Sequence, residues 1–210
     1  MLRLPSAIFG ILTVLGVYFL TKELFRNNTI ALLATFFLAT SFWHINFSRI
    51  GFRAIMAPAF LVWAIYFLLK SFRGSSAEGG SPPEADRSQT YASGGKFYIL
   101  NSIFSGIFFG LGFYSYIAYR VTPLLIFFIT LVYWWKNKEN AIRKKILFSV
   151  FCFLFSTAIV TVPLGIYFLN HPPDFFGRTE QISIFESATP LKDLGLNILR
   201  TAGQFNFLGD

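Results

Sequence analysis

The stretch NNTIALLATFFLATSFWHINFSRIGFRAIM, residues 27–56, is uncharged for its first 22 positions and then carries two arginines in an apolar, aromatic setting. About 20 such residues suffice for an α-helix to cross roughly 30 Å of hydrocarbon. The whole sequence has the same character, with 54% hydrophobic, 20% aromatic and only 13% charged residues and a mean hydropathy of +0.56. These values exclude an ordinary soluble domain and indicate an integral membrane protein.

Charged residues divide the chain into six apolar runs, each close to the length of a membrane-spanning helix. The runs are 4–21, 27–48, 54–69, 97–119, 121–135 and 146–173. We therefore predict an all-α, polytopic membrane protein with about six transmembrane helices. Helices one to three would occupy residues 1–72 and helices four to six residues 97–170.

The connection between the two groups of helices, residues 73–96, is rich in Gly, Ser and Pro and has no apolar period. This composition predicts a disordered cytoplasmic loop. Residues 171–210 mix prolines, charges and aromatics, and we expect them to form an extracytoplasmic segment.

The distribution of lysine and arginine predicts the orientation in the cell membrane. If the chain begins on the outer side, eleven of the eighteen basic residues lie in inner connections, and the outer connections between helices contain no lysine. The net charge of +8 is explained by this asymmetry, so we expect no nucleic-acid partner. His44 lacks a second ligand at a suitable spacing, so no metal site is predicted.

Arg53 and Arg120 precede the two shortest apolar runs, of 16 and 15 residues. An α-helix of that length spans only about 22–24 Å, so a charged group should enter the apolar layer. The guanidinium either extends along the helix to the outer headgroups or faces a polar cavity between helices. Both alternatives remain open for Arg120.

Arg49 and Arg53 lie four residues apart, which places them on one face if this segment is helical, where they repel unless an anion is near. Asp174 or Glu180 could supply that anion as a salt bridge, and so could a bound phosphate, which suits a guanidinium fork. His44, Ser48, Tyr116 and Tyr119 are polar groups at the same predicted level. An interfacial aromatic belt explains the tyrosines equally well.

Four segments together resemble the bacterial and archaeal membrane glycosyltransferases of the GT-C superfamily, in the protein mannosyltransferase and aminoarabinose transferase-like branch. They are RLPSAIFGILTVLGVYFLTKELF (3–25), ALLATFFLATSFWHINFSRIGFRAIM (31–56), GLGFYSYIAYRVTPLL (110–125) and VPLGIYFLNHPPDFFGRTEQISIF (162–185). The resemblance implies a GT-C-like helical bundle that transfers a sugar from a polyprenyl-phosphate carrier to an acceptor on the extracytoplasmic side. It implies no cofactor besides this donor substrate, and it names neither the sugar nor the acceptor.

The resemblance also implies candidate substrate-binding residues. FSRIGFR (47–53) supplies Arg49 and Arg53, and YIAYRVTP (116–123) supplies Tyr119 and Arg120 for the carrier phosphate. The further candidates are His44, Ser48, Tyr116, Asp174, Arg178 and Glu180. In such enzymes the catalytic aspartate follows an additional first transmembrane helix. We therefore expect this chain to be a fragment without its catalytic base and inactive alone.

Two functions of other classes stay open. A flippase or transporter for the lipid carrier would hold phosphate with the same arginines, although transporters usually place charges near the bilayer midplane. A structural membrane subunit could pair these arginines with acidic residues of another protein.

Overall fold

The structure is a computed structural model that describes residues 3–50, 53–77, 87–173, 192 and 195. This part of the chain contains seven α-helices and no strand, which confirms the all-α fold. The helices are α1 (Arg3–Phe25), α2 (Asn28–Thr40), α3 (Phe42–Ile50), α4 (Met56–Ala77), α5 (Arg87–Gly112), α6 (Thr122–Lys136) and α7 (Asn140–Asn170). Short 3-10 turns precede α4 at Arg53–Ile55 and α6 at Ile117–Val121.

Four helical segments of the described chain are long and apolar enough to span a membrane: Leu4–Phe25, Arg53–Arg73, Ile117–Lys136 and Ile142–Asn170. A fifth span is formed if α2 and α3, which meet at 56°, are counted together. The polytopic membrane fold is thus confirmed, but with four or five candidate spans where about six were predicted. The apolar part of α5 is shorter, because the helix ends at Gly112, where the Ser115 amide donates to the Gly112 carbonyl at 3.0 Å.

Helix α4 is longer than its apolar run. It has 22 residues and spans about 33 Å, so the prediction of a short third helix was wrong. An ion pair between Arg73 Nη1 and Glu23 Oε1, 2.9 Å apart, ties the last turns of α4 to the end of α1. Helix also occupies 73–77 and 87–96, where the sequence predicted disorder throughout.

The chain divides into two compact units, residues 1–162 and 163–210. The apolar core of the first unit lies between α4, α5, α6 and α7 and includes Leu68, Phe72, Phe109, Ile146 and Phe153. Of the second unit, the structure describes the last turns of α7, residues 171–173, and the two residues 192 and 195.

Two glycines of α5, Gly106 and Gly110, let this helix approach α7 closely. A Cβ built at Gly110 would lie 2.8 Å from Val160 Cβ, and one at Gly106 would collide with the Phe153 carbonyl. Thr157 Oγ1 donates to the Gly106 carbonyl at 3.2 Å. This face therefore serves helix packing, which is how small residues commonly act in membrane bundles.

The helices of the first unit have two distinguishable ends. At one, which we call the lysine end, Glu23 of α1 meets Arg73 of α4, and Phe72 of α4 lies 5.2 Å, ring to ring, from Tyr133 of α6. The opposite, arginine end holds α3 and the two 3-10 turns from which α4 and α6 run toward the lysine end. Arg49, Arg53 and Arg120 belong to the arginine end.

Candidate functional site

The candidate site begins with the break between α2 and α3. Ser41 has an extended conformation (φ −64°, ψ 125°), and its amide donates to the Leu38 carbonyl at 3.1 Å, which ends α2. The Ser41 carbonyl then accepts from the Ile45 amide at 3.0 Å, which starts α3. Irregular backbone at membrane depth is tolerated where it is covered by protein or lines a cavity. The bend directs α3 against the first half of α1.

His44 and Ser48 of α3 fix this contact at Gly10 of α1. The His44 Nε2 atom lies 3.1 Å from the Gly10 carbonyl oxygen and is within hydrogen-bonding distance. A Cβ at residue 10 would come within 2.9 Å of Ser48 Cβ, a separation that real Cβ atoms essentially never show. Glycine is therefore required at this crossing for α3 to approach so closely.

A cavity of about 750 Å³ lies beside this crossing, between α1, the end of α2 and α3. Its walls are mostly aliphatic, and its polar groups belong to α3. The lining residues are Ala7, Gly10, Ile11, Val14, Leu15, Ala39, His44, Ile45, Ser48 and Arg49. The volume falls in the range of cavities that hold small ligands.

Arg49 supplies the charge of the cavity. It is exposed, and within the described residues it has no carboxylate partner, since the ion pair found there joins Arg73 to Glu23. The Ser48 hydroxyl donates to the Ile45 carbonyl at 2.7 Å, which leaves its oxygen able to accept another bond. An apolar wall ending at a guanidinium suits an amphiphile with an anionic head.

The other predicted residues do not line this cavity. Arg53 is exposed in the turn before α4, and Arg120 lies in the turn before α6. Tyr116 is partly exposed where that second turn begins. Asp174, Arg178 and Glu180 lie outside the described residues. The convergence of the three arginines on one site thus stays a prediction.

Tyr119 occupies the core. It is 2% exposed, its ring contacts Phe109 and Phe113, and its hydroxyl has no hydrogen-bond partner among the described residues. The ring also lies directly over Gly112, where any Cβ would collide with it. In this position Tyr119 packs the turn against α5 and offers no surface to the cavity.

Sequence reasoning missed the α1 wall of the cavity. Ala7, Gly10, Ile11 and Val14 recur at the three- and four-residue spacing of one helix face, but an apolar face on a membrane helix predicts lipid, packing or cavity equally well. Gly10 within this face was the available signal for close helix approach.

Part of the chain matches a known protein family. Residues 1–77 match the family model described as dolichyl-phosphate-mannose-protein mannosyltransferase. No curated protein and no solved structure matches the chain. The matched segment contains α1 to α4, and therefore every residue that lines the cavity. The match supports the predicted resemblance of this segment to the GT-C membrane glycosyltransferases.

Proposed function

We propose that the chain is part of a membrane glycosyltransferase that moves a sugar from a polyprenyl-phosphate carrier to an acceptor on the extracytoplasmic side. The main support is the cavity between α1 and α3, which combines an aliphatic wall with Arg49 at its charged margin. The family match over the same residues supports a glycosyltransferase rather than another kind of lipid-binding protein.

In this proposal the donor lipid lies along α1. Its isoprenoid chain contacts Ile11, Val14 and Leu15, which have no polar side-chain atoms, and its phosphate lies at Arg49. A guanidinium can give two parallel hydrogen bonds to phosphate oxygens, which a lysine ammonium cannot do in the same geometry.

Arg49 would act mainly when the bond from the sugar to the carrier phosphate breaks. Negative charge then develops on the departing phosphate, and a fixed cation beside it lowers the barrier to transfer. His44 and Ser48 hold α3 against α1 and so keep Arg49 at the cavity. The proposed contacts for the remainder of the donor or for the acceptor are Arg53, Arg120, Tyr116, Asp174, Arg178 and Glu180. We assign no general base.

The experiment is a transfer assay with the complete protein in detergent, using a polyprenyl-phosphate-linked radioactive sugar and a set of acceptors. We expect Arg49→Ala to reduce transfer by about 10²-fold or more, in line with the loss of one group that stabilises developing charge. Arg49→Lys should lose less, because the charge remains while the fork is lost. Arg26→Ala removes an exposed cation at the opposite end of α1 and serves as the control.

The same assay separates a transferase from a transporter, whose helices are also often interrupted. Detergent micelles have no two leaflets, so movement across a membrane cannot be measured in them, whereas sugar transfer can. Donor that binds to wild-type protein but is never consumed would contradict the proposal. So would an Arg26→Ala variant as impaired as Arg49→Ala.

A further inference from the structure

The turn between α6 and α7 concentrates positive charge at the lysine end. Residues 136–145 include five basic residues and one acidic residue, a net charge of +4. The basic residues are Lys136, Lys138, Arg143, Lys144 and Lys145. The ion pair found within the described chain is between Arg73 and Glu23, so none found there neutralises Lys136, Lys138, Arg143 or Lys144. The charge of these four side chains is therefore available to an external anion.

The turn is held in a defined shape. The Asn137 amide and side chain both donate to the Tyr133 carbonyl, at 3.2 and 2.8 Å, and close the end of α6. Arg143 Nε donates to the Asn137 carbonyl at 2.8 Å, and its guanidinium lies 5.3 Å from the centre of the Trp134 ring. Arg143 is thus fixed across the turn. Its two terminal nitrogens take no part in the bond to the Asn137 carbonyl.

The surface next to the turn is apolar and exposed. Trp135 is 82% exposed, directly before Lys136. Val132 on α6 and Leu147 and Phe148 on α7 are exposed within the next turn of each helix. Cations therefore border a surface suited to acyl chains, with a tryptophan at the boundary, where this residue is enriched in membrane proteins.

From this juxtaposition we propose that the α6–α7 turn binds the headgroup of an anionic phospholipid. Lys136, Lys138 and Lys144, which are exposed, contact the headgroup phosphate together with Arg143, and the acyl chains lie along Val132 and Leu147. A free phosphate or nucleotide would use the charges and leave the adjoining apolar surface unused, which is why a lipid is the better fit. Basic clusters directly next to a membrane helix commonly bind anionic lipids.

Quenching of Trp135 by brominated lipids tests this proposal. The complete protein is reconstituted into phosphatidylcholine vesicles with a minor fraction of phosphatidylglycerol, and bromine is placed on the acyl chains of one lipid or the other. The contribution of Trp135 is the difference between the parent and Trp135→Phe. We expect phosphatidylglycerol to be enriched about fivefold or more at Trp135 over its bulk fraction, because each basic residue near an anionic surface contributes about a fivefold preference.

The variant Lys138→Gln/Lys144→Gln should reduce this enrichment at least fivefold, toward the bulk fraction. The matched control Lys22→Gln/Arg26→Gln removes two exposed cations from the end of α1, at the same end of the bundle, and should leave the enrichment unchanged. Helix content measured by circular dichroism verifies that each variant is folded. Quenching by the two brominated lipids in proportion to their bulk fractions in the parent would overturn the proposal, as would an equal loss in the control.

Discussion

At the scale of single residues, the crossing of α1 and α3 depends on Gly10. Because a Cβ there would lie 2.9 Å from Ser48 Cβ, Gly10→Ala must separate the two helices or displace Ser48. Overpacking of this kind typically costs about 1–3 kcal/mol of folding free energy. We therefore expect Gly10→Ala to lower the thermal midpoint in detergent and to weaken binding of a lipid-linked donor. Tryptophan fluorescence during heating measures the first effect.

The double variant Gly10→Ala/Ser48→Gly provides the decisive comparison. Removing the Ser48 Cβ relieves the clash, so the two changes should couple favourably by about 1 kcal/mol. Gly165→Ala is the control, because a Cβ at that helical position meets nothing within 4 Å and should be neutral or slightly stabilising. Strictly additive effects of residues 10 and 48 would show that their contact does not limit the approach.

The residue scale also shows how far the sequence predicts the site. Arg49, His44 and Ser48 were predicted as candidates from their polarity in an apolar stretch, and all three line the cavity. Tyr119 was predicted by the same reasoning, yet it is buried. Tyrosine combines a mostly apolar ring with one polar hydroxyl. The residue type alone therefore does not distinguish a ligand-binding tyrosine from one that packs in the core, as Tyr119 does over Gly112.

At the scale of elements, a cluster of three serines joins α4, α5 and α7 near the lysine end. Ser71 Oγ lies 2.6 Å from Ser102 Oγ and 3.0 Å from Ser149 Oγ, and all three side chains are fully buried. The Tyr98 carbonyl oxygen lies within hydrogen-bonding distance of the Ser71 and Ser102 hydroxyls, at 3.0 and 2.9 Å. Hydrogen bonds between helices in membrane proteins contribute about 0.6 kcal/mol each on average, and up to about 1.7.

We expect Ser71→Ala to destabilise the bundle by about 1–2 kcal/mol, because it removes the hydroxyl shared by three helices. The matched control is Ser156→Ala, a buried serine whose hydroxyl donates to Cys152 of its own helix at 2.8 Å. Its loss should cost clearly less. Unfolding of the purified protein in mixed micelles with increasing denaturing detergent gives both values. Equal losses would mean that the serine cluster is incidental to helix association.

Helix bounds were the part of the elements that the sequence predicted poorly. Each of the six apolar runs contains helix in the structure. The run 27–48 is broken at Ser41, the helix of the run 97–119 ends at Gly112, and the helix of the run 54–69 continues to Ala77. The bounds of an apolar run are set by the nearest charged residues. The ends of a helix are instead decided by backbone hydrogen bonds and tertiary contacts. The Arg73–Glu23 pair is such a contact, 50 residues apart in sequence, so no local pattern could reveal it.

At the scale of the whole molecule, composition alone predicted an all-α membrane protein, because no soluble core needs so many apolar residues. The fold also separates the basic residues into two groups, as the sequence predicted. The arginine end of the first unit holds Arg49, Arg53 and Arg120. The lysine end holds Lys22, Lys70 and the α6–α7 turn. Such a separation favours the lysine end inside the cell. Which side each end faces remains a prediction.

Cysteine labelling in intact cells tests this orientation. The background carries Cys152→Ala, and one cysteine at a time replaces Ala118 or Lys138. Ala118 is exposed in the turn before α6, and Lys138 is exposed in the turn after α6. Because α6 runs from one end of the bundle to the other, the two positions should lie on opposite sides of the membrane. We expect a membrane-impermeant maleimide to label residue 118 in intact cells and residue 138 only after permeabilisation. The reverse pattern would invert the protein and place Arg49 on the cytoplasmic side, where the proposed extracytoplasmic transfer cannot occur.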